Sequence, residues 1–453
     1  MTLWSGGRFE EEPAEILWRF TVDTSDRRLL IDDVTGSIAH ATMLGSVGLL
    51  TPEEATAMLA GLEAIKDEAE TGSFLFLDTD EDVHSAVERR LGEVIGRVAG
   101  KLHTGRSRND QIALDLRLYL RRSVGERTRQ LKQFVRLLVD LAVSVGDTVV
   151  PSYTHLQQAQ AVPLAHHLLA YTWMLKRDLE RFDDASRRID VSPLGAGASG
   201  GSSLPLDAEQ TAALLGMAAV FDNSMDAVGS RDVAAEYVWC ITQTMLHLSR
   251  LSEDLLLWST REFGWVTFSD AFTTGSSAMP QKKNADIAEL VRGKAATVVG
   301  DLAAIASLQK GLPMTYNRDL QEDKRVVFHA DDSLAGSLDA LGGMLSTIEF
   351  HTPAPSDWVT SLDLAEILVR RSIPFREAHN LVGALVTYLL DKGESFVDLT
   401  ADQLTDFDPR FEPGDIASVD PVDSVQSRMT HGGGSMDSVV TQIEALEAFL
   451  GEN

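Results

Sequence analysis

The sequence predicts an all-α protein built around a bundle of long helices, and three stretches carry this prediction. Apolar residues recur at helical spacing between about 230 and 262. The stretch 286–309 has acidic residues in its first turns and Lys310-Gly311 at its end, which are helix start and stop signals. Residues 111–145 carry an apolar face over about 35 residues, roughly 50 Å of helix. Helices of this length usually belong to a bundle or to a subunit interface.

The two ends of the chain are predicted to be smaller helical regions. Near the start, Thr51-Pro52 marks a helix with Thr51 as its cap. A further helix is expected over 85–98, after the acidic cluster 80–82 that suits a helix N-terminus. His84 stands beside this cluster, and by residue type alone it is most often a surface or capping histidine. Prolines at 353 and 355 mark the beginning of the C-terminal region.

The stretch 274–284 lies between two of the long helical patterns and has an unusual composition. Gly275 and Pro280 predict an irregular loop. A serine hydroxyl becomes a useful base only when its alkoxide is stabilised by cations and hydrogen-bond donors. Lys282 or Lys283, with Asn284, can supply such donors or hold a substrate carboxylate as it gains charge. Gly-Ser-Ser by itself is more often a surface turn, but the full string is more specific.

A second polar motif, residues 101–111, precedes the longest helix. It contains Ser107, Arg108 and Asn109 close to the predicted helix N-terminus. Arginine binds carboxylates through two parallel hydrogen bonds, and the helix N-terminus adds backbone donors and a favourable dipole. A ligand with two or three carboxylates would fit this motif. The alternative is a capped helix start with solvated arginines.

Two more polar motifs follow along the chain. Thr154 and His155 lie in the stretch 148–175, which has no charged residue other than histidine and is predicted to be a buried segment, not a membrane span. The alternative for His155 is a hydrogen-bonded core histidine. In the segment 311–324, the spacing of Tyr316, Gln321 and Lys324 puts two or three of them on one helix-start surface, although a solvated helix start has the same composition.

The glycine-rich stretch 195–201 is not a nucleotide site. No Gly-Lys-Ser/Thr follows it, and no strand–helix–strand pattern surrounds it.

These motifs together resemble one enzyme family. Residues 275–284 resemble the Gly-Ser-Ser-x-Met-Pro-x-Lys-x-Asn signature of the fumarase/aspartase superfamily. Residues 103–111 match a motif of argininosuccinate lyases residue for residue. The segments 4–9, 81–91, 151–157 and 312–324 are also similar to that family and stand in its order.

Four positions depart from the family pattern. Ser5 is an extra residue, Ser152 replaces a usual glycine, and Ala285 replaces a usual proline. Ser202-Ser203 stands near the place of a usual asparagine.

The resemblance implies an all-α, three-domain fold whose central long-helix bundle assembles into a tetrameric helical core. The expected domains are 1–103, 104–353 and 354–453. It further implies a homotetramer whose active sites are built from motifs on three subunits. The implied reaction is the reversible anti β-elimination of argininosuccinate to arginine and fumarate, with neither a metal nor an organic cofactor.

The resemblance also assigns roles to particular residues. Ser276 is expected to be the base, Lys282 to stabilise the developing negative charge, and His155 is our candidate for proton transfer to the leaving group. The remaining positions are expected to bind substrate or to lie next to it: His84, Ser107, Arg108, Asn109, Thr154, Asn284, Tyr316, Gln321 and Lys324.

Two alternatives stay open on the sequence. The first is a sister lyase acting on adenylosuccinate or aspartate, against which the segment 103–111 argues. The second is a non-catalytic structural homologue of the kind found among lens crystallins. Ser276, Lys282 and His155 are all present, which argues against loss of activity.

Composition limits the partners and the setting. The formal net charge is −28 and the pI about 4.7, so binding to nucleic acid or to an anionic membrane is not expected. Cys240 is the single cysteine, which fits a reducing cytoplasm. The first 15 residues are polar and acidic, unlike a signal peptide.

We predict that molar KCl stabilises the protein. The chain has only 10 Lys against 30 Arg and 68 acidic residues, a composition typical of proteins that work in high salt. The Debye length falls to roughly 3 Å at 1 M salt, so repulsion between like charges on the surface is screened more strongly. The thermal unfolding midpoint should rise between low and molar KCl, and a midpoint that does not rise would contradict the prediction.

Overall fold

The structure is a computed structural model that describes residues 14–452, so the predicted early loop at 4–9 lies outside the described part. Its contacts group the chain into two units. The first contains the residues up to Thr128 together with Glu180–Gln243 and Ala295–Ala335. The second contains Arg129–Leu179, Thr244–Lys294 and the residues from Gly336 onward. The three-domain division predicted above stays a prediction.

Helices dominate both units. In chain order the α-helices of residues 14–452 are α1 (Glu15–Thr21), α2 (Leu30–Ser46), α3 (Pro52–Glu70), α4 (Val83–Ile95), α5 (Arg108–Ser144), α6 (Leu164–Ile189), α7 (Ala208–Leu214), α8 (Ser224–Gly229), α9 (Asp232–Ser259), α10 (Asp286–Gln309), α11 (Asp323–Leu345), α12 (Ser361–Arg370), α13 (Phe375–Lys392), α14 (Ala401–Phe407), α15 (Pro421–Gln426) and α16 (Met436–Glu452). Short 3₁₀ turns join several of them, at 25–29, 96–101, 270–272, 318–322 and 413–419.

The long helices agree with the sequence prediction. Helix α10 begins and ends at the expected residues, and α9 covers most of the expected stretch. Helix α5 has 37 residues and starts at Arg108, three positions earlier than predicted. The reason is a local cap, because Ser107 Oγ accepts the Asn109 N–H at 3.2 Å and Asp110 Oδ1 accepts the Ser107 N–H at 2.8 Å.

Eight short strands form four two-stranded ladders in the described residues. The longest pair is the antiparallel hairpin of β1 (Val149–Thr154) and β2 (Gln157–Pro163). The others have two residues each: β3 (Val191–Ser192) with β4 (Ala219–Val220), β5 (Val266–Thr267) with β8 (Glu349–Phe350), and β6 (Thr274–Gly275) with β7 (Lys283–Asn284).

The hairpin corrects one prediction. The stretch 148–175 was expected to be buried throughout, yet residues 154–158 at the hairpin tip are exposed. An antiparallel hairpin satisfies its backbone groups internally, so its tip needs no burial even though it carries no charge. Among the described residues, no helix has the length and apolarity needed to cross a membrane.

The first unit contains a core formed by α2, α3 and α4. Thr51 caps α3 in a reciprocal arrangement with Glu54, as the Thr51-Pro52 signal predicts. Asp82 caps α4 in the same way with Ser85. Helix α4 ends at Ile95, not at 98, because Gly96 has a φ of 71° and turns the chain into a 3₁₀ segment. In the second unit, Pro374 separates α12 from α13 as expected.

The close crossing of α3 and α4 generates a stability prediction. A Cβ at Gly61 would lie 2.7 Å from Leu91 Cδ1 and 2.8 Å from Ile95 Cγ2. We expect Gly61→Ala to lower the free energy of unfolding by about 1–3 kcal/mol through overpacking. Gly92→Ala on α4 meets no atom within 4 Å and should instead raise it by about 0.5–1 kcal/mol. Chemical denaturation measures both, and equal signs for the two variants would contradict the packing argument.

Candidate active site

The segment 274–284 forms a loop closed at its base. Thr274 pairs with Asn284 and Gly275 with Lys283, so the predicted irregular loop has a two-residue antiparallel ladder at its ends. The irregular part of the loop is thus limited to 276–282, because the backbone groups of the flanking residues pair with each other immediately before α10 begins. At the tip, Ser276 Oγ accepts the backbone N–H groups of Ala278 at 3.2 Å and Met279 at 3.1 Å. Two donors therefore point at the oxygen that was predicted to act as a base.

The two lysines of this loop differ in their surroundings. Lys283 donates to the Asp270 carboxylate, so its ammonium is already paired. Within residues 14–452, no carboxylate lies within 4.0 Å of the Lys282 ammonium, and the side chain is exposed. Of the two lysines that the sequence left open, Lys282 is thus the one whose charge is free to meet a ligand. Asn284 is partly buried at the base of the loop.

His155 stands at the exposed tip of the β1–β2 hairpin in a strained backbone conformation. His155 and Leu156 have φ values of 55° and 57°, and Thr154 pairs with Gln157 across them. A two-residue hairpin turn with positive φ at both positions ordinarily takes Asn-Gly or a similar pair. Strain of this kind persists at functional sites, where the surrounding structure holds it.

A cavity of about 700 Å³ lies beside this hairpin in the second unit. His155 lines it, whereas no residue of the 274–284 loop does. Its wall includes Asp254, whose Oδ2 accepts the Tyr171 hydroxyl at 2.6 Å and lies 2.7 Å from His167 Nε2. Burial alone would raise the pKa of Asp254, but these two partners lower it below its ordinary value. The sequence prediction missed this group, because residues more than 80 positions apart leave no local signal.

The polar side chains of the 103–111 motif already have hydrogen-bond and ion-pair partners within the protein, more than the sequence suggested. Arg108 Nη1 donates to Glu88 Oε1 at 3.3 Å, and its Nε lies 3.7 Å from Asp82 Oδ2. Asn109 Nδ2 donates to the Ala198 carbonyl at 3.1 Å. Ser107 Oγ is used in the cap of α5. These side chains are thus neither wholly free nor solvated, and a ligand would have to replace some of the partners.

Asp110 is an organising residue that the sequence prediction did not single out. Its side chain is fully buried, and it accepts backbone N–H groups from Ser107, from Gly195 at 3.1 Å and from Gly197 at 2.9 Å. Burial raises the pKa of Asp110, and the three N–H groups counter part of that effect. The 103–111 motif and the glycine-rich turn are therefore joined through one carboxylate.

In the first unit, the structure brings four predicted site residues to one small cavity. His84, Tyr316, Gln321 and Lys324 line a cavity of about 60 Å³. Lys324 Nζ lies 2.9 Å from Asp323 Oδ1, and Gln321 donates to the Thr21 carbonyl at 3.1 Å. Acidic groups also face this cavity, and its remaining lining residues are Asp23, Asp26, Glu81, Asp82, Ile112 and Arg318. Tyr316, Gln321 and Lys324 therefore lie together, as their spacing suggested, and their role in binding substrate stays a prediction.

The hairpin tip generates the next prediction. Replacing Leu156 by glycine should raise the free energy of unfolding by about 1 kcal/mol, because glycine adopts positive φ without the steric cost of a Cβ. Gln157→Gly is the matched control, since Gln157 is the first residue of β2 and glycine in a strand costs about 0.5–1 kcal/mol. Urea unfolding measures both, and a destabilised Leu156→Gly would show that the leucine side chain outweighs the strain.

Comparisons with known proteins agree with one another. A family model described as Lyase matches residues 7–300, and one described as Argininosuccinate lyase C-terminal matches residues 358–426. The chain is 46% identical over 443 residues to the argininosuccinate lyase of Desulforudis audaxviator, covering 96% of each chain. It is 45% identical over 456 residues to that of Pelotomaculum thermopropionicum, covering 99% of each.

Solved structures show the same relationship. An EDDS lyase in complex with formate superposes with a TM-score of 0.83 at 29% identity, over 96% of this chain and 88% of the other. A class II fumarase from Schistosoma mansoni has a TM-score of 0.75 at 14% identity, over 90% and 92%, and shows the shared fold. The all-α superfamily fold predicted from the sequence is confirmed. With the full-length relatives above, these matches show that the chain belongs to the argininosuccinate lyase family.

Proposed function

We propose that this chain catalyses the reversible anti β-elimination of argininosuccinate to arginine and fumarate, a step of arginine biosynthesis. The family membership supports the reaction class. The observation that carries the proposal is the pair of backbone N–H groups at Ser276 Oγ. A serine alkoxide needs fixed donors at its oxygen, because negative charge there is otherwise too costly at neutral pH.

The first step is removal of a proton from carbon. The Ser276 alkoxide takes the proton from the succinyl Cβ, the carbon next to the one that bears the guanidino nitrogen, and the electron pair delocalises into the carboxylate attached to Cβ. Lys282 and Asn284 stabilise the additional charge. The free ammonium of Lys282 and its place in the same loop as Ser276 support this role.

The second step is departure of the leaving group. The carbanion forms the carbon–carbon double bond of fumarate as the bond to the guanidino nitrogen breaks, and that nitrogen receives a proton. We assign the proton to His155, directly or through water, since histidine exchanges protons near neutral pH. The strained and exposed position of His155 at the hairpin tip supports a function that outweighs its backbone cost.

Substrate binding falls to residues with cationic or hydrogen-bonding side chains. The proposed set holds the carboxylates and the arginine portion and consists of His84, Ser107, Arg108, Asn109, Thr154, Tyr316, Gln321 and Lys324. The cavity shared by His84, Tyr316, Gln321 and Lys324 supports part of this set. Its acidic lining suits the guanidinium end of the substrate.

The proposal includes a homotetramer with active sites built from motifs of three subunits, working in the cytoplasm. Helix α10 supports the assembly because it exposes an apolar face of small residues. Leu290 is 63% exposed, Val299 is exposed as well, and Gly293, Thr297 and Gly300 lie exposed along the same helix. Small residues permit close approach of another helix, and we assign this face to contact with further copies of the chain.

The alternatives find less support. A sister lyase acting on adenylosuccinate or aspartate is not favoured, because full-length relatives at 42–46% identity are argininosuccinate lyases. A crystallin-like structural role is not favoured either, because the full-length relatives are argininosuccinate lyases and Ser276, Lys282 and His155 are all present in this chain.

Fumarate release tests the proposal. We expect the wild-type chain to form fumarate, followed by its absorbance, from argininosuccinate but not from adenylosuccinate or aspartate. Ser276→Ala should lower kcat by about 10²–10⁴-fold, the usual contribution of a positioned base. Ser277→Ala is the matched control, since it removes the neighbouring hydroxyl and leaves the Ser276 oxygen and its two donors in place.

The assay is run in both low and molar KCl, so that an inactive low-salt state is not mistaken for an absent activity. A folded protein silent with all three substrates in both salts would overturn the proposed function and favour the structural role. Equal losses in Ser276→Ala and Ser277→Ala would overturn the assignment of the base.

A further inference from the structure

We propose that Asp33 and Asp115 form a buried pair of one carboxylate and one carboxylic acid, and that this pair positions His84 for the proposed substrate pocket. Asp33 is the charged member and holds His84, while Asp115 carries the proton. The role in the reaction rests on the function proposed above. The state of the pair does not, because it follows from contacts among buried side chains.

The three side chains meet where α2, α4 and α5 pack in the first unit. His84 Nδ1 lies 2.9 Å from Asp33 Oδ1 and 3.4 Å from Asp115 Oδ2. Asp33 Oδ1 also accepts Gln111 Nε2 at 2.5 Å. The side chains of His84, Asp33 and Asp115 are at most 3% exposed. Water therefore contributes little to stabilising charge at this point, and the protein must supply the partners.

The hydrogen bonds are distributed unevenly between the two carboxyl groups. Asp33 Oδ1 has two N–H partners, whereas in the described part of the chain neither oxygen of Asp115 has a hydrogen-bond partner. Asp33 Oδ2 is also unpartnered. A proton on Asp115 would give that group a donor for the neighbouring carboxylate and would remove one of two like charges. Two adjacent carboxylates in a buried site ordinarily settle in this way.

The electrostatics agree with this assignment. Burial by itself would raise the pKa of Asp33, but the charge and hydrogen bond of His84, together with Arg106 and Gln111, lower it to about 2. Burial raises the pKa of Asp115 well above its ordinary value, and the charges of Asp33 and Asp32 raise it further. The same environment therefore lowers the pKa of Asp33 and raises the pKa of Asp115.

The other charged and titratable groups near the pair leave this arrangement in place. Arg106 is buried and donates to Ser37 Oγ at 3.0 Å, and its charge favours one ionised carboxylate. Asp32 is paired with Arg122 at 3.0 Å. His40 faces Arg106, and burial followed by that charge lowers the pKa of His40 to about 3, so it is neutral. Of these groups, the Arg106 guanidinium is thus the positive charge that faces the pair without being neutralised by another of them.

The consequence for His84 is a fixed ring. Because Nδ1 carries the hydrogen that is donated to Asp33, Nε2 is the ring nitrogen left for other partners. His84 lines the cavity shared with Tyr316, Gln321 and Lys324. Asp33 is thus a positioning residue, which acts through His84 and does not itself touch substrate.

The test compares two isosteric substitutions at equally buried sites. Asp115→Asn replaces a neutral acid by a neutral amide that still donates, so kcat/KM for argininosuccinate should change less than about threefold. Asp33→Asn removes the negative charge opposite His84 Nδ1, because the amide oxygen that replaces the carboxylate oxygen is a weaker, uncharged acceptor, and it should lower kcat/KM by about 10–100-fold, the range for losing a partner that orients a functional histidine. Asp32→Asn is a matched control, as another buried aspartate of α2.

A double-mutant cycle separates positioning from mere structural support. In a His84→Gln background, Asp33→Asn should have no further effect on kcat/KM, because its action passes through His84. Additive losses would overturn the positioning role. Losses in Asp115→Asn as large as those in Asp33→Asn, with both variants folded, would overturn the assignment of the proton.

Infrared spectroscopy reads the proton directly. The wild type at neutral pH should show the carbonyl band of a protonated carboxylic acid that shifts in D₂O, and Asp115→Asn should lack it while Asp32→Asn keeps it. Absence of the band in the wild type would overturn the proposal. So would a divalent cation that metal analysis finds in stoichiometric amount and that Asp115→Asn releases.

These experiments distinguish failure of the proposed function from failure of the proposal for Asp33 and Asp115. If wild type does not turn over argininosuccinate, the proposed function fails, while the infrared band still decides the state of the pair. If Asp33→Asn does not fold, Asp115→Asn and the band decide the proposal, since the amide at 115 is expected to keep the fold.

Discussion

Burial of charged and polar groups around the start of α5 is the constraint on which the rest of the first unit depends. Asp110, in the first turn of that helix, accepts three backbone N–H groups from two separate loops. Without a carboxylate there, the Gly197 N–H would be buried and unpaired, at a cost of about 1–3 kcal/mol, and the partly buried N–H groups of Ser107 and Gly195 would lose their partner as well. On the same helix, Gln111, which directly follows Asp110, and Asp115, more than one turn further along, meet the Asp33–His84 contact. The beginning of one helix thus sets the positions of the glycine-rich turn, of α2 and of α4.

Strained backbone marks the polar motifs of both units. In the second unit, His155 and Leu156 have positive φ at the hairpin tip. In the first unit, Thr315 has a φ of 73° immediately before Tyr316, and its carbonyl oxygen would lie 2.7 Å from a Cβ placed on Gly229. Glycine at 229 is required by this close approach. Residues in such conformations cost free energy and persist where the surrounding structure holds them, which is typical of binding and catalytic segments.

Ion pairing distinguishes residues that look alike in the sequence. Lys282 and Lys283 are adjacent, yet only Lys283 is paired with an aspartate in the described residues. Asp33 and Asp115 are equally buried, yet only Asp33 has hydrogen-bond donors. In each case the difference comes from side chains elsewhere in the sequence. It leaves Lys282 as the unpaired lysine and Asp33 as the ionised aspartate. Two residues of the same type can therefore have different charge states or different ion pairing, because their neighbours differ.

The sequence by itself determined the helical class, the long helices and the motifs that identify the family. These signals are local: they are helical periodicity, caps such as Thr51, and the strings at 103–111 and 275–284. Each depends only on residues close together in the sequence, so it can be recognised without the tertiary structure. Tertiary structure alone decided which distant groups meet. It joined Asp110 to the glycine-rich turn, brought His84 to Tyr316 and Lys324, and placed Asp33 against Asp115. It also exposed the hairpin tip that composition suggested was buried, because backbone pairing satisfies polar groups that composition does not reveal.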